Sequence, residues 1–145
     1  MVAEYCLRQY LHQQGASDIL VHSAGIIAAP QDPRTKTLEV LQSLGIDASH
    51  HIQTKITPTV VDAYDLIIAM AIDHQQFVKE HFGWNIPLFN EIAIGEHTSV
   101  LDIKEAFPDA EKESEDENRH IVWTIHYIHD HIPVVYDYIR THNML

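Results

Sequence analysis

A single cysteine occurs in the whole chain, so no internal disulfide can brace it. Bases are scarce as well: nine Lys and Arg stand against 21 Asp and Glu, a formal charge of −12. A surface that acidic repels phosphate backbones and anionic headgroups, which argues against nucleic acid and membrane as partners. No apolar run approaches the ~20 residues of a membrane span. The start lacks the basic stretch and long apolar core of a secretory signal, so the expected home is the cytoplasm. Neither internal repeats nor flexible linkers interrupt the 145 residues, which are expected to form a single domain over 1–145.

What is present is an ordinary globular balance, 46% hydrophobic and 21% charged, on a chain long enough to bury a core. In MVAEYCLRQYL, apolar residues at Val2, Ala3, Cys6, Leu7, Tyr10 and Leu11 predict a helix over 2–14, closed by Gly15. DILVHSAG, residues 18–25, reads as a strand and turn. A second helix is expected with Asp32 as cap, Pro33 in its first turn, Leu38, Leu41 and Leu44 as its stripe, and Gly45 as its stop. Thr57 and Pro58 open a short helix. YDLIIAM, residues 64–70, has the length and continuous apolarity of a strand buried on both faces. A capped helix runs from Asp73 to Gly83, and NIPLF is an expected edge strand because Pro87 cannot donate to a ladder. Residues 90–110 read as a loop with one helical turn. DAEKESEDE, residues 109–117, reads as a solvated charge run. Ile121, Ile125, Ile128 and Ile132 share one face of a last long helix that Pro133 should bend or restart.

Strands alternating with helices imply an α/β fold with parallel strands. Parallel strands need crossovers, and a crossover helix sits between two strands. The first helix has a strand after it and none before it. A capping residue, a loop and a first strand are therefore expected ahead of Val2 and are absent from this chain.

Several stretches resemble the low-molecular-weight protein tyrosine phosphatases. MVAEYCLRQYL resembles the family's first helix, which follows Arg-Ser-Pro in a motif ending Met-Ala-Glu. HSAGI resembles its second strand and Ser-Ala-Gly turn. DPRTKTLEVLQSLGIDASHH resembles its second helix, the Gly-Ile-Asp turn and the following His. TPTVVDAYDLIIAM resembles its third strand with the preceding short helix. The resemblance covers roughly residues 1–82. It implies a flavodoxin-like parallel sheet flanked by helices, and a phosphate loop reading Cys, five residues, Arg, Ser between the first strand and first helix. In such a loop a thiolate attacks phosphorus, backbone N–H groups hold the oxygens, and the Arg clamps them. An Asp on a later loop protonates the leaving oxygen and then activates water. Neither that strand nor that loop lies within these residues. The chain is therefore expected to be inactive as given, and to rearrange or exchange strands in a homodimer.

The resemblance makes Asp102, in VLDIKEAF, the expected general acid, with Asp109, in FPDAE, as its rival. A helix cap is the plainer role for either. Ser23 and His51 match positions that hold the phosphate loop in shape, with His50 as the alternative if the alignment slips by one. Cys6 is expected to be a core side chain, since His12 and not Arg stands where the motif would continue. His126 and His129 share a helix face near Asp130, a weak metal-ligand pattern, so no metal and no other cofactor are expected. Tyr136 and Tyr138 could be modified but more simply pack. The implied partner is a phosphotyrosine-containing protein, or a phosphate-like oxyanion once such a loop is restored. The competing function is a non-catalytic phosphatase-like module for binding or assembly. Arsenate reductase chemistry would pass electrons through further cysteines that the chain does not have.

Overall fold

Helix α1 (Val2–Gln13) forms where the apolar spacing predicts it, burying Cys6, Leu7 and Leu11 along one stripe. The structure is a computed structural model and describes residues 1–27, 33–109 and 114–142. Helix α2 (Thr35–Ser43) opens on Arg34. The expected cap Asp32 lies outside the described residues. Its buried stripe is Thr37, Val40 and Leu41, while Leu38 and Leu44 are half-buried. The helix closes because Gly45 adopts a left-handed φ of 78°, letting the Ile46 N–H reach back 2.9 Å to the Leu41 carbonyl. Helix α3 (Pro58–Asp62) is capped by Thr57, whose hydroxyl accepts from the Val60 N–H at 3.2 Å. Helix α4 (Ile72–Phe82) ends at Gly83, another left-handed residue. The stretch from 90 to 110 holds more than one turn: helix α5 (Phe89–Ile94) and helix α6 (Ile103–Ala106). Helix α7 (Glu115–His142) buries Ile121, Ile125, Ile128 and Ile132, and continues through Pro133 rather than restarting there.

The strands depart from the sequence expectation. Among the described residues, parallel pairing is reduced to two isolated bridges, Gly25 with Lys55 and Ala69 with Leu88. The second shows why. The Ala69 N–H donates to the Pro87 carbonyl at 2.9 Å, and the Phe89 N–H donates to the Ala69 carbonyl at 2.8 Å. Extending this ladder backward requires an N–H at position 87, and proline has none. Extending it forward fails because Phe89 begins α5 and Ala71 caps α4. Expected strands 64–70 and 85–89 thus meet in parallel, as predicted, but over a single residue pair.

The residues group into two compact units. One comprises Met1–Ala24, Ala29–Thr54 and Asp102–Ile132. Within it, the Gln9 side chain donates to the Leu44 carbonyl at 2.7 Å, joining α1 to the end of α2. Arg34 pairs at 3.0 Å with buried Glu117, joining the start of α2 to α7. The other comprises Gly25–Ala28, Lys55–Leu101 and Pro133–Leu145. Its core includes Ala69, Val78, Ile86 and Leu88, with Ile56, Ile67 and Phe82 packed against them. No described helix is long and apolar enough to cross a membrane.

Candidate functional site

Glu4 is a carboxylate on the inner side of α1's first turn, only 7% exposed. A buried carboxylate is costly unless it is paired and hydrogen-bonded. Three side chains meet that need. The Arg8 guanidinium, one helical turn on, reaches Glu4 Oε1 at 2.6 Å. The Ser23 hydroxyl donates to Glu4 Oε2. His51 Nδ1 lies 3.9 Å from the same oxygen. Arg8 also donates through Nε and Nη2 to the Val21 carbonyl, at 3.0 and 2.8 Å. Residues 21–23 are thereby tied to α1 at two points, one on each side of His22.

His51 reaches the cluster because the turn before it is fixed. Asp47 accepts from both the backbone N–H and the hydroxyl of Ser49, at 3.0 and 2.6 Å. The His51 N–H then donates to the Ala48 carbonyl at 3.1 Å. The His51 ring meets Tyr5 edge-on at 5.5 Å between centroids. Burial holds the imidazole below its ordinary pKa; the Met1 amino group and Arg8 push the same way, while Glu4 opposes them. His50, the alternative, is exposed, and it is His51 that faces Glu4.

The structure therefore brings Ser23 and His51 together on one carboxylate. Reading the sequence missed Glu4 and Arg8 as the pair that joins them. The available signal was the glutamate closing the Met-Ala-Glu motif, four residues before a basic residue on the same helix face.

Asp102 and Asp109 stand apart from this cluster. Both are exposed, and among the described residues neither bonds to Glu4, Ser23 or His51. Asp102 Oδ1 accepts the Glu105 N–H at 2.8 Å and so caps α6. Cys6 is 1% exposed, and burial pushes its thiol up to about 11. A thiol held there is neutral near pH 7 and is not a nucleophile. His129 Nδ1 sits 3.8 Å from Asp130 Oδ1. Among the described residues, no group of three or more His, Cys, Asp or Glu is placed to hold a metal ion.

A family model for the low molecular weight phosphotyrosine protein phosphatases matches residues 1–131. The chain belongs to this family. A protein-arginine-phosphatase of Bacillus subtilis is 28% identical over 120 residues, covering 80% of this chain and 79% of the relative. Among solved structures, a YwlE arginine phosphatase mutant with a phosphorylated active-site serine superposes with a TM-score of 0.80. The match covers 97% of this chain and 88% of that one, at 21% identity. A low molecular weight protein tyrosine phosphatase from T. tengcongensis gives 0.76 at 22% identity, covering 94% and 88%. These likenesses give the phosphatase chain its α/β fold class, although its described parallel pairing is confined to the two bridges.

Proposed function

We propose that residues 1–145 form one phosphatase-like domain in which the Glu4 cluster braces a loop that holds the phosphoryl group of a phosphoprotein. Ser23 and His51 act as positioning residues, through Glu4. Asp102 is the general acid, with Asp109 as its rival. The observation supporting this reading most directly is the convergence of Ser23 and His51 on Glu4, in the first turn of α1, which the family resemblance puts next to the phosphate loop. The substrate is a phosphorylated protein side chain: phosphotyrosine from the family's description, or phosphoarginine from the name of the Bacillus subtilis relative. An acidic chain with no described membrane-crossing helix fits a cytoplasmic phosphoprotein better than nucleic acid or a lipid surface.

In this reading the 145 residues do not turn over substrate by themselves. Their one thiol is buried and neutral, and His12 stands five residues beyond it where an Arg clamp would be needed. The chain also pairs with a second copy of itself. Residues 18–25 alternate exposed with half-buried positions, Leu20 is 81% exposed, and the segment's described pairing ends at the single Gly25 bridge. A segment with so little laddering and an exposed Leu20 is a template for strand exchange. Light scattering that finds a monomer, with a cooperative melt, would contradict the pairing.

The test of the activity joins a family strand and Cys-x5-Arg loop ahead of Met1. Vanadate-sensitive hydrolysis of p-nitrophenyl phosphate should appear and fall about 10²–10⁴-fold in Asp102→Asn. A folded but inactive fusion would favour the non-catalytic binding module instead.

A further inference from the structure

The cleft beside helix α4 has a composition unlike the rest of this acidic chain. Its walls are Ile72 and Ile86, the Trp84 indole, and the amide side chains of Gln75, Gln76 and Asn85; its one charge is Lys79. The volume is about 280 Å³, the scale of one small ring with a substituent. No acid lines it, in a chain carrying 21, while Glu80 and Glu91 bond to its lining amides Gln76 and Gln75 without lining it themselves. Two of the amides are held in place. Gln75 donates to the Ile86 carbonyl at 2.7 Å, and Gln76 donates to Glu80 at 2.7 Å. Lys79 has no acidic partner among the described residues. The Trp84 indole N–H and the Asn85 amide also have no described partner. The cleft thus combines an apolar lining with three groups able to donate, one of them cationic.

We propose that this cleft is a binding site for a small organic anion with a flat apolar body, such as an aryl carboxylate. The apolar body displaces water from Ile72, Ile86 and the indole, and the anionic head takes the Lys79 ammonium. A cation of the same shape would meet Lys79 as a like charge, and inorganic phosphate alone would leave the apolar walls unused.

Benzoate is titrated into the full chain while the Trp84 indole N–H resonance is followed. Trp123→Phe leaves a single indole signal and so assigns it. The expected result is a saturable shift with a Kd on the order of 1 mM, as a fragment of that size can reach. Benzylamine and inorganic phosphate should not reproduce it. Lys79→Gln should weaken benzoate about fivefold, and Lys79→Arg should restore it. Lys79 is exposed, so both variants should keep a dispersed spectrum. A shift that does not saturate, an equal response to benzylamine, or an unchanged Kd in Lys79→Gln would each overturn the proposal.

Discussion

The Ser23 hydroxyl donates to Glu4, so a turn residue and a buried helix carboxylate nineteen positions apart satisfy one another. Glu4 is also the acceptor for Arg8. Glu4→Ala removes the shared acceptor and leaves the Ser23 hydroxyl without its partner, while Arg8 keeps the Val21 carbonyl. It should cost about 1–3 kcal/mol in urea unfolding. Ser23→Ala removes one donor and should cost roughly 1 kcal/mol or less. Equal losses for the two variants would argue against Glu4 as the centre of the cluster.

Asp102 has a visible role as the cap of α6 and a proposed one as an acid, and two substitutions separate them. Asp102→Ala should lower stability by about 0.5–1 kcal/mol, because the Glu105 N–H loses its acceptor. Asp102→Asn keeps a capping oxygen and should melt like the parent. A fusion carrying the nucleophile loop should lose turnover in both. Turnover retained in Asp102→Asn and lost in Asp109→Asn would transfer the acid role to Asp109.

Cys6 should resist alkylation in the folded chain at pH 8 and react once urea exposes it, since burial holds its thiol up to about 11. The unfolded thiol ionises near ~8.5. A folded value raised above the unfolded one favours the native state fully below ~8.5, and that contribution is lost as pH rises toward 11. Cys6→Ala should remove this alkaline sensitivity. Rapid native-state labelling at pH 8 would contradict the burial.

Glu91 should contribute an acid-side sensitivity. It accepts the Leu88 N–H at 2.7 Å and contacts His97 at 2.6 Å, and these hydrogen bonds, the Leu88 one first, hold its carboxyl below the usual range. A depressed folded value stabilises above the unfolded pKa and is lost as pH falls through the folded one. Glu91→Gln should therefore flatten the stability profile below about pH 4.5. An unchanged profile would mean that the α5 cap does not report on folding.

The helices were legible because their signals are local. Thr57 with Pro58, the turn at Gly45 and the isoleucine stripe of α7 each state their element within a few residues. Helix α5 was foreseen only as one turn in a loop because Leu88 has no side-chain acceptor; its cap is Glu91 reaching back from inside the helix. The pairing of 64–70 with 85–89 failed at a single atom. Pro87 was read as limiting a strand to an edge; its missing N–H stops the ladder after one pair. At the site, Ser23 and His51 came from resemblance, while Glu4 and Arg8 did not, because what joins them is a contact across 19 and 47 residues of sequence that no local pattern encodes.

On the proposed reading, these residues carry the phosphatase scaffold without a working nucleophile. That reading is tested most directly by incubating the purified 145-residue chain with p-nitrophenyl phosphate, with and without vanadate. No vanadate-sensitive hydrolysis above the buffer blank is expected, in the parent and in Cys6→Ala alike. Vanadate-sensitive turnover by the parent that disappears in Cys6→Ala would contradict it, and would make the buried thiol the nucleophile after all.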